Sequence, residues 1–123
     1  MEDDRIMKQT ADVPVIILST AAPDNAKVIA RELVEKRLAA CVNMTGVSSY
    51  YYWKGEFCDD TEVLLVIKTL ESRKNEVMDA IRRLHTYELP EMILIPITGG
   101  FPPYLTWLNE EVMQGRSSVS ENL

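Results

Sequence analysis

Histidine, cysteine and glycine are scarce in this chain. Of its 123 residues one is histidine (His85), two are cysteine (Cys41 and Cys58) and five are glycine. A catalytic triad needs an imidazole beside a nucleophile, and nothing in the sequence places a serine or cysteine next to His85. The two cysteines lack CxxC spacing, so they suit neither a disulfide framework nor a redox pair, and reduced thiols are expected. The glycine cluster Gly99-Gly100 fits neither GxxxxGK[ST] nor GxGxxG, which excludes a phosphate-cradling loop. Basic excess is missing as well: thirteen Lys plus Arg against nineteen Asp plus Glu leave a net charge of −6. That sign repels phosphate backbones and anionic lipid, so no nucleic-acid or membrane-surface role is expected. Apolar runs such as Val63 to Ile67 and Met92 to Ile97 fall far short of the roughly 20 residues needed to cross a bilayer. The acidic stretch Met1 to Asp12 has no apolar signal core, which makes cytoplasmic residence the expectation.

What remains is ordinary globular material. Hydrophobic residues make up 46% and charged residues 26%, enough for one core in one domain. Val13 to Thr20 is β-branched and apolar on both alternating faces, and reads as a buried strand ended by Ala21-Ala22-Pro23-Asp24. Ala26, Ile29, Ala30, Leu33, Val34 and Leu38 recur at helical steps. Cys41 to Trp53 is extended and aromatic, and Trp53-Lys54-Gly55-Glu56 reads as the turn of a long hairpin, because Gly55 tolerates positive φ. The return strand is expected from about Glu62 to Thr69, followed by Ser72 as an N-cap and a helix through Val77, Met78, Ile81 and Leu84 ending near His85. Leu89-Pro90 opens a strand, Met92 to Thr98, and a short helix follows from Tyr104 to Met113. Residues 1–12 and 114–123 are expected to be flexible flanks of a domain spanning 13–113. The order β, α, β, β, α, β predicts an α+β, ferredoxin-like sandwich with both main helices on one face of the sheet.

The strands do not alternate as a half-solvated antiparallel sheet should. Val63, Leu65 and Ile67 lie opposite Leu64 and Val66, and Met92 and Leu94 opposite Ile93, Ile95 and Ile97. A monomer would then expose more apolar sheet than soluble monomers tolerate, so other copies of the chain are expected to cover it in a closed symmetric oligomer.

Sandwiches of this kind host unrelated functions, so each is tested at its site. The stretch Glu56-Phe57-Cys58-Asp59-Asp60-Thr61 is acidic where an RNA-recognition domain needs a basic, aromatic one. A copper(I) chaperone needs two closely spaced thiolates, which are absent. Cys41 reads as a small buried residue, and Cys58, set among acids, reads as a poor nucleophile with a structural or neutral role. His85 and Glu91 flank the connection Thr86-Tyr87-Glu88-Leu89-Pro90, which can fold both toward one rim of the sheet. An imidazole and a carboxylate suit copper(II), zinc or nickel, although two ligands need completion from elsewhere. The competing reading is a helix-terminal His85 complementing the dipole, with Glu91 as a surface acid. Lys68, in an otherwise apolar strand, is expected to reach an acid or a pocket rim.

The runs Leu38-Ala39-Ala40-Cys41-Val42-Asn43, Ser49-Tyr50-Tyr51-Tyr52-Trp53-Lys54-Gly55-Glu56, Ile67-Lys68-Thr69, His85-Thr86-Tyr87-Glu88-Leu89-Pro90-Glu91 and Tyr104-Leu105-Thr106-Trp107-Leu108 together resemble the CutA family of divalent-cation-tolerance proteins. The resemblance implies a ferredoxin-like protomer in a homotrimer, with the hairpin arm around Trp53 used in assembly. It also implies a link to copper and other divalent ions, no required cofactor and no enzyme activity. Carried over residue by residue, it makes His85 and Glu91 metal-contact candidates and puts Cys41, Trp53, Lys68 and Tyr87 at an inter-subunit pocket. Ser19 departs from the pattern, in which some members carry cysteine. The trimer is also similar to PII signalling proteins, which gives the alternative of an adaptor that binds a small ligand or a protein partner in clefts between subunits.

Overall fold

The computed structural model describes residues 12–122, with side chains through Gln114. The chain folds as β1 (Pro14–Ala21), α1 (Pro23–Glu35), β2 (Cys41–Trp53), β3 (Glu56–Leu70), a 3-10 turn (Glu71–Arg73), α2 (Lys74–Leu84), β4 (Ile93–Pro96) and α3 (Pro102–Asn122). The sheet order is β2-β3-β1-β4, with every neighbouring pair antiparallel. This is the α+β arrangement expected from the alternation of apolar periods.

Each main helix forms where its pattern lies. Pro23 opens α1, where its missing N–H costs nothing, and Asp24 in the first turn complements the positive helix end. Ala26, Ile29 and Leu33 of α1 and Val77, Ala80 and Ile81 of α2 are buried against the sheet. On β1 and β3, Ile17 and Ile67 face each other across the ladder and complete that core with Leu65. Fully burying one such side chain contributes about 1.5–3 kcal/mol. The β2–β3 hairpin closes through Lys54 (φ 51°) and Gly55 (φ 81°), the two positive φ angles of a two-residue turn whose twist matches that of the strands. Pairing therefore starts at Trp53↔Glu56, and β3 is longer than the run from Glu62 that its apolar residues suggest.

Several local expectations change. Ser72 does not cap α2: its hydroxyl donates to the Asp12 carboxylate over 2.6 Å, and the chain takes a 3-10 turn before the helix starts at Lys74. Strand β4 is limited to the four residues that pair with β1. Helix α3 starts at Pro102 and runs to Asn122, well past Met113. The expected flexible segment 1–12 lies, except for Asp12, outside the described residues, as does Leu123 of the expected tail. Cys41, expected in the core, is half-buried, because β2 is an edge strand and Cys41 shares the face of Lys68 opposite the main helices.

That opposite face is apolar too. Register places Ile16, Leu18, Leu64, Val66, Ile93 and Ile95 on it, and Ile93 and Ile95 remain 49% and 40% exposed. Helix α3 covers one end, where Leu108 and Val112 pack on Leu70 beside Ala40. The remainder of the face stays uncovered by the described residues of one chain.

Ser19 points to the helix side of β1, fully buried, and its hydroxyl has no hydrogen-bond partner among the described residues. An unpaired buried hydroxyl costs about 1–3 kcal/mol. Ser19→Ala is therefore expected to raise stability by about 1 kcal/mol in urea titration, whereas Ile67→Ala should lower it by about 2–5 kcal/mol through the cavity it leaves. A Ser19→Ala variant less stable than the parent would contradict this reading of the site.

Candidate functional site

The connection from α2 to β4 is held by bonds that no local pattern announces. His85 ends α2 in an extended conformation, with its N–H donating to the Ile81 carbonyl. Asn25 of α1 then grips both sides of the turn: its Nδ2 donates to the Leu84 carbonyl (3.0 Å) and its Oδ1 accepts the Thr86 N–H (3.3 Å). The imidazole is engaged at both nitrogens. Nε2–H donates to the Thr20 carbonyl (2.7 Å), and Nδ1 accepts the Tyr87 N–H (3.1 Å), which assigns the neutral Nε2–H tautomer from its bonding partners. Helix end, strand end and loop are thereby tied at one point.

Folded this way, the loop lies over the base of the hairpin and encloses a groove of about 630 Å³. Thr20 of β1, Ser49, Tyr51 and Trp53 of β2, Glu62 of β3, and Tyr87, Glu88 and Glu91 of the loop line it. Glu62 is the deepest charge, only 5% exposed, and it accepts the Tyr87 hydroxyl over 2.8 Å. Burial, followed by this bond and the Glu62 charge, pushes the Tyr87 phenol up to about 12. Tyr51 donates to Asp60, and that bond raises its pKa in the same direction. At the rim the Lys54 ammonium pairs with Glu88 (3.2 Å) and lies 5.5 Å from the centre of the Trp53 ring.

The residues singled out from sequence divide into two places. Trp53, Tyr87 and Glu91 line the groove, with His85 adjoining it through Thr20 and Tyr87. Cys41 and Lys68 face each other across β2 and β3, six positions along β3 from Glu62, or about 20 Å at the strand rise. The Lys68 ammonium reaches no acid among the described residues. It lies 3.4 Å from the Tyr104 hydroxyl and over that ring, so of the two expected destinations, an acid or a pocket rim, the acid gives way to a phenol contact. Cys41 and Cys58 are both free thiols, with weak contacts to Asn43 and to the Glu56 carbonyl. Among the described residues no three His, Cys, Asp or Glu side chains gather into a metal-binding cluster. Sequence reasoning missed Thr20, Asn25, Tyr51 and Glu62. Glu62 carried a signal, being an acid in line with Leu64 and Val66 on a strand otherwise apolar on both faces.

Residues 15–111 match the CutA1 divalent ion tolerance protein family. The chain belongs to the CutA family. It is 50% identical to a Xenopus laevis protein named Protein CutA homolog, over 71% of this chain and 58% of that one, so it spans little more than half the length of that relative. Among solved structures, the periplasmic divalent cation tolerance protein CutA of Archaeoglobus fulgidus superposes with a TM-score of 0.78 at 36% identity, covering 80% of this chain and 98% of that one. The PII-like protein CutA of Nostoc sp. PCC 7120, in apo form, gives 0.76 at 36% identity over 80% and 96%. Among the described residues no helix is long and apolar enough to cross a membrane.

The Tyr87–Glu62 bond carries a pH signature. A phenol whose folded pKa lies near 12, above an ordinary value of 10.0, keeps its proton longer in the folded state. Its stabilisation is complete below pH 10 and is lost as pH rises through about 12. Tyr87→Phe is expected to flatten the fall of stability over that interval, read by urea midpoints at successive pH values; an unchanged slope would place the phenol outside this linkage.

Proposed function

We propose that this chain is a non-enzymatic, homotrimeric, cytoplasmic protein that binds divalent metal ions, copper(II) among them, and serves cation tolerance through that binding. The observation that carries the metal assignment is the orientation of His85. Metal-bound histidines usually donate their second ring N–H to a carbonyl or carboxylate, which fixes tautomer and direction. Here Nε2–H is fixed on Thr20, so Nδ1 is the lone-pair side, and a metal need displace only the Tyr87 N–H there. Glu91 is an exposed carboxylate on the adjoining groove. Two protein ligands fit copper(II) or zinc only in part, and a neighbouring subunit or water completes the set. The homotrimer is supported by the apolar sheet face that α3 leaves open, which a closed assembly would bury.

A second reading, a PII-like adaptor that takes a small ligand or protein partner in clefts between subunits, is favoured by one feature. The groove is larger and more aromatic than a metal ion requires, and the Nostoc neighbour is described as PII-like. Cys41 and Lys68 would join Trp53 and Tyr87 in such a cleft only across a subunit boundary.

Calorimetric titration of the full chain with copper(II) tests the first reading. One ion per chain is expected, with at least about tenfold weaker binding in His85→Ala, the loss of one imidazole ligand being worth about 1.4 kcal/mol or more. Copper affinity unchanged in His85→Ala would remove His85 from the site, and no copper uptake would remove metal binding as the direct function.

A further inference from the structure

Among the described residues of one chain, the groove holds a carboxylate that no cation pairs with. Glu62 is almost wholly buried, its hydrogen-bond partner there is the neutral phenol of Tyr87, and no ion pair among those residues includes it. Burying a carboxylate is costly unless a cation or several donors compensate, and one phenol supplies one donor. Around it the walls are aromatic, from Tyr51, Trp53 and Tyr87, with the exposed carboxylate of Glu91 beyond.

We infer that this groove is a binding site for a small organic ammonium ion. The ammonium group would bond to the free oxygen of Glu62 and rest against the aromatic walls, with Glu91 adding attraction from the entrance. Aromatic faces attract ammonium groups, and Tyr51, Trp53 and Tyr87 present such faces around Glu62. The chain itself supplies a precedent at the rim, where the Lys54 ammonium is held between the Trp53 ring and Glu88. A metal ion is a poorer fit for this position. It needs several ligands at close range, and among the described residues no cluster of three provides them. A cavity of about 630 Å³ also far exceeds the space that a bare ion occupies. This inference deepens the small-ligand reading of the groove and stands apart from metal capture at His85.

The test uses the full chain and 1,4-diaminobutane as the probe, titrated by calorimetry at fixed ionic strength, with 1,4-butanediol as the uncharged counterpart of equal length. Saturable binding of the diamine, none of the diol, at least tenfold weakening in Glu62→Gln and several-fold weakening in Glu91→Gln are expected. Diamine heats that vanish into those of matched sodium chloride, or a diol that binds equally well, would overturn the inference. Where circular dichroism shows Glu62→Gln unfolded, Glu91→Gln and Trp53→Ala decide, and unchanged affinity in both overturns it. Parallel titrations of the unaltered chain separate the two proposals: diamine binding without copper uptake refutes only the metal reading, whereas copper uptake without diamine binding refutes only the groove assignment.

Discussion

β1 and β3 are paired antiparallel through eight register positions, and both are apolar on their two faces. One face receives α1 and α2 and becomes the closed core around Ile17, Ile67, Leu33 and Ile81. Among the described residues the opposite face receives α3 alone, at the Leu70 end, and Ile93 and Ile95 stay exposed. A sheet with apolar side chains on both faces needs two covers, and one chain of this topology provides a cover and a fraction. The length of the hairpin follows from the same pairing, because β3 must extend past the core to meet β2 down to Trp53. The far part of this arm carries Tyr52, 74% exposed, and Phe57, which meet edge to face without a core beneath them.

The groove exists because that arm meets the α2–β4 loop. Asn25 and His85 fix the loop through backbone atoms of Leu84, Thr86, Thr20 and Tyr87, so the loop's position does not depend on its own exposed side chains. Tyr87 is then carried onto Glu62, and a carboxylate that would otherwise face water becomes buried beneath a phenol. The same construction orients the imidazole. Metal capture at Nδ1 and ammonium binding at Glu62 are thus separate proposals built on one structural knot, with different atoms at stake in each.

Features governed by local pattern were legible in the sequence. The spacing of Ala26, Ile29 and Leu33 announces α1, that of Val77 and Ile81 announces α2, and Gly55 marks the hairpin turn. The two-sided apolar strands also announce the uncovered sheet face. What stayed hidden depends on partners far apart in sequence. Ser72 has the chemistry of a cap, but Asp12, sixty positions away, claims its hydroxyl. Glu62 stands in the sequence only as the start of the return strand until the loop places Tyr87 on it, and Lys68, expected at an acid or a pocket rim, meets a phenol once α3 brings Tyr104 beneath its ammonium. For His85 the residue type was visible and its role was not, because its partners are a carbonyl of β1 and an amide of the next turn.

Sedimentation equilibrium of the purified chain at micromolar concentration addresses the central claim, that copies of this chain cover the open face of the sheet. The account predicts one species at three times the 14.0 kDa chain mass, without dissociation on dilution across the accessible range. A species at the chain mass would contradict it, since Ile93, Ile95 and their neighbours would then face water with no cover.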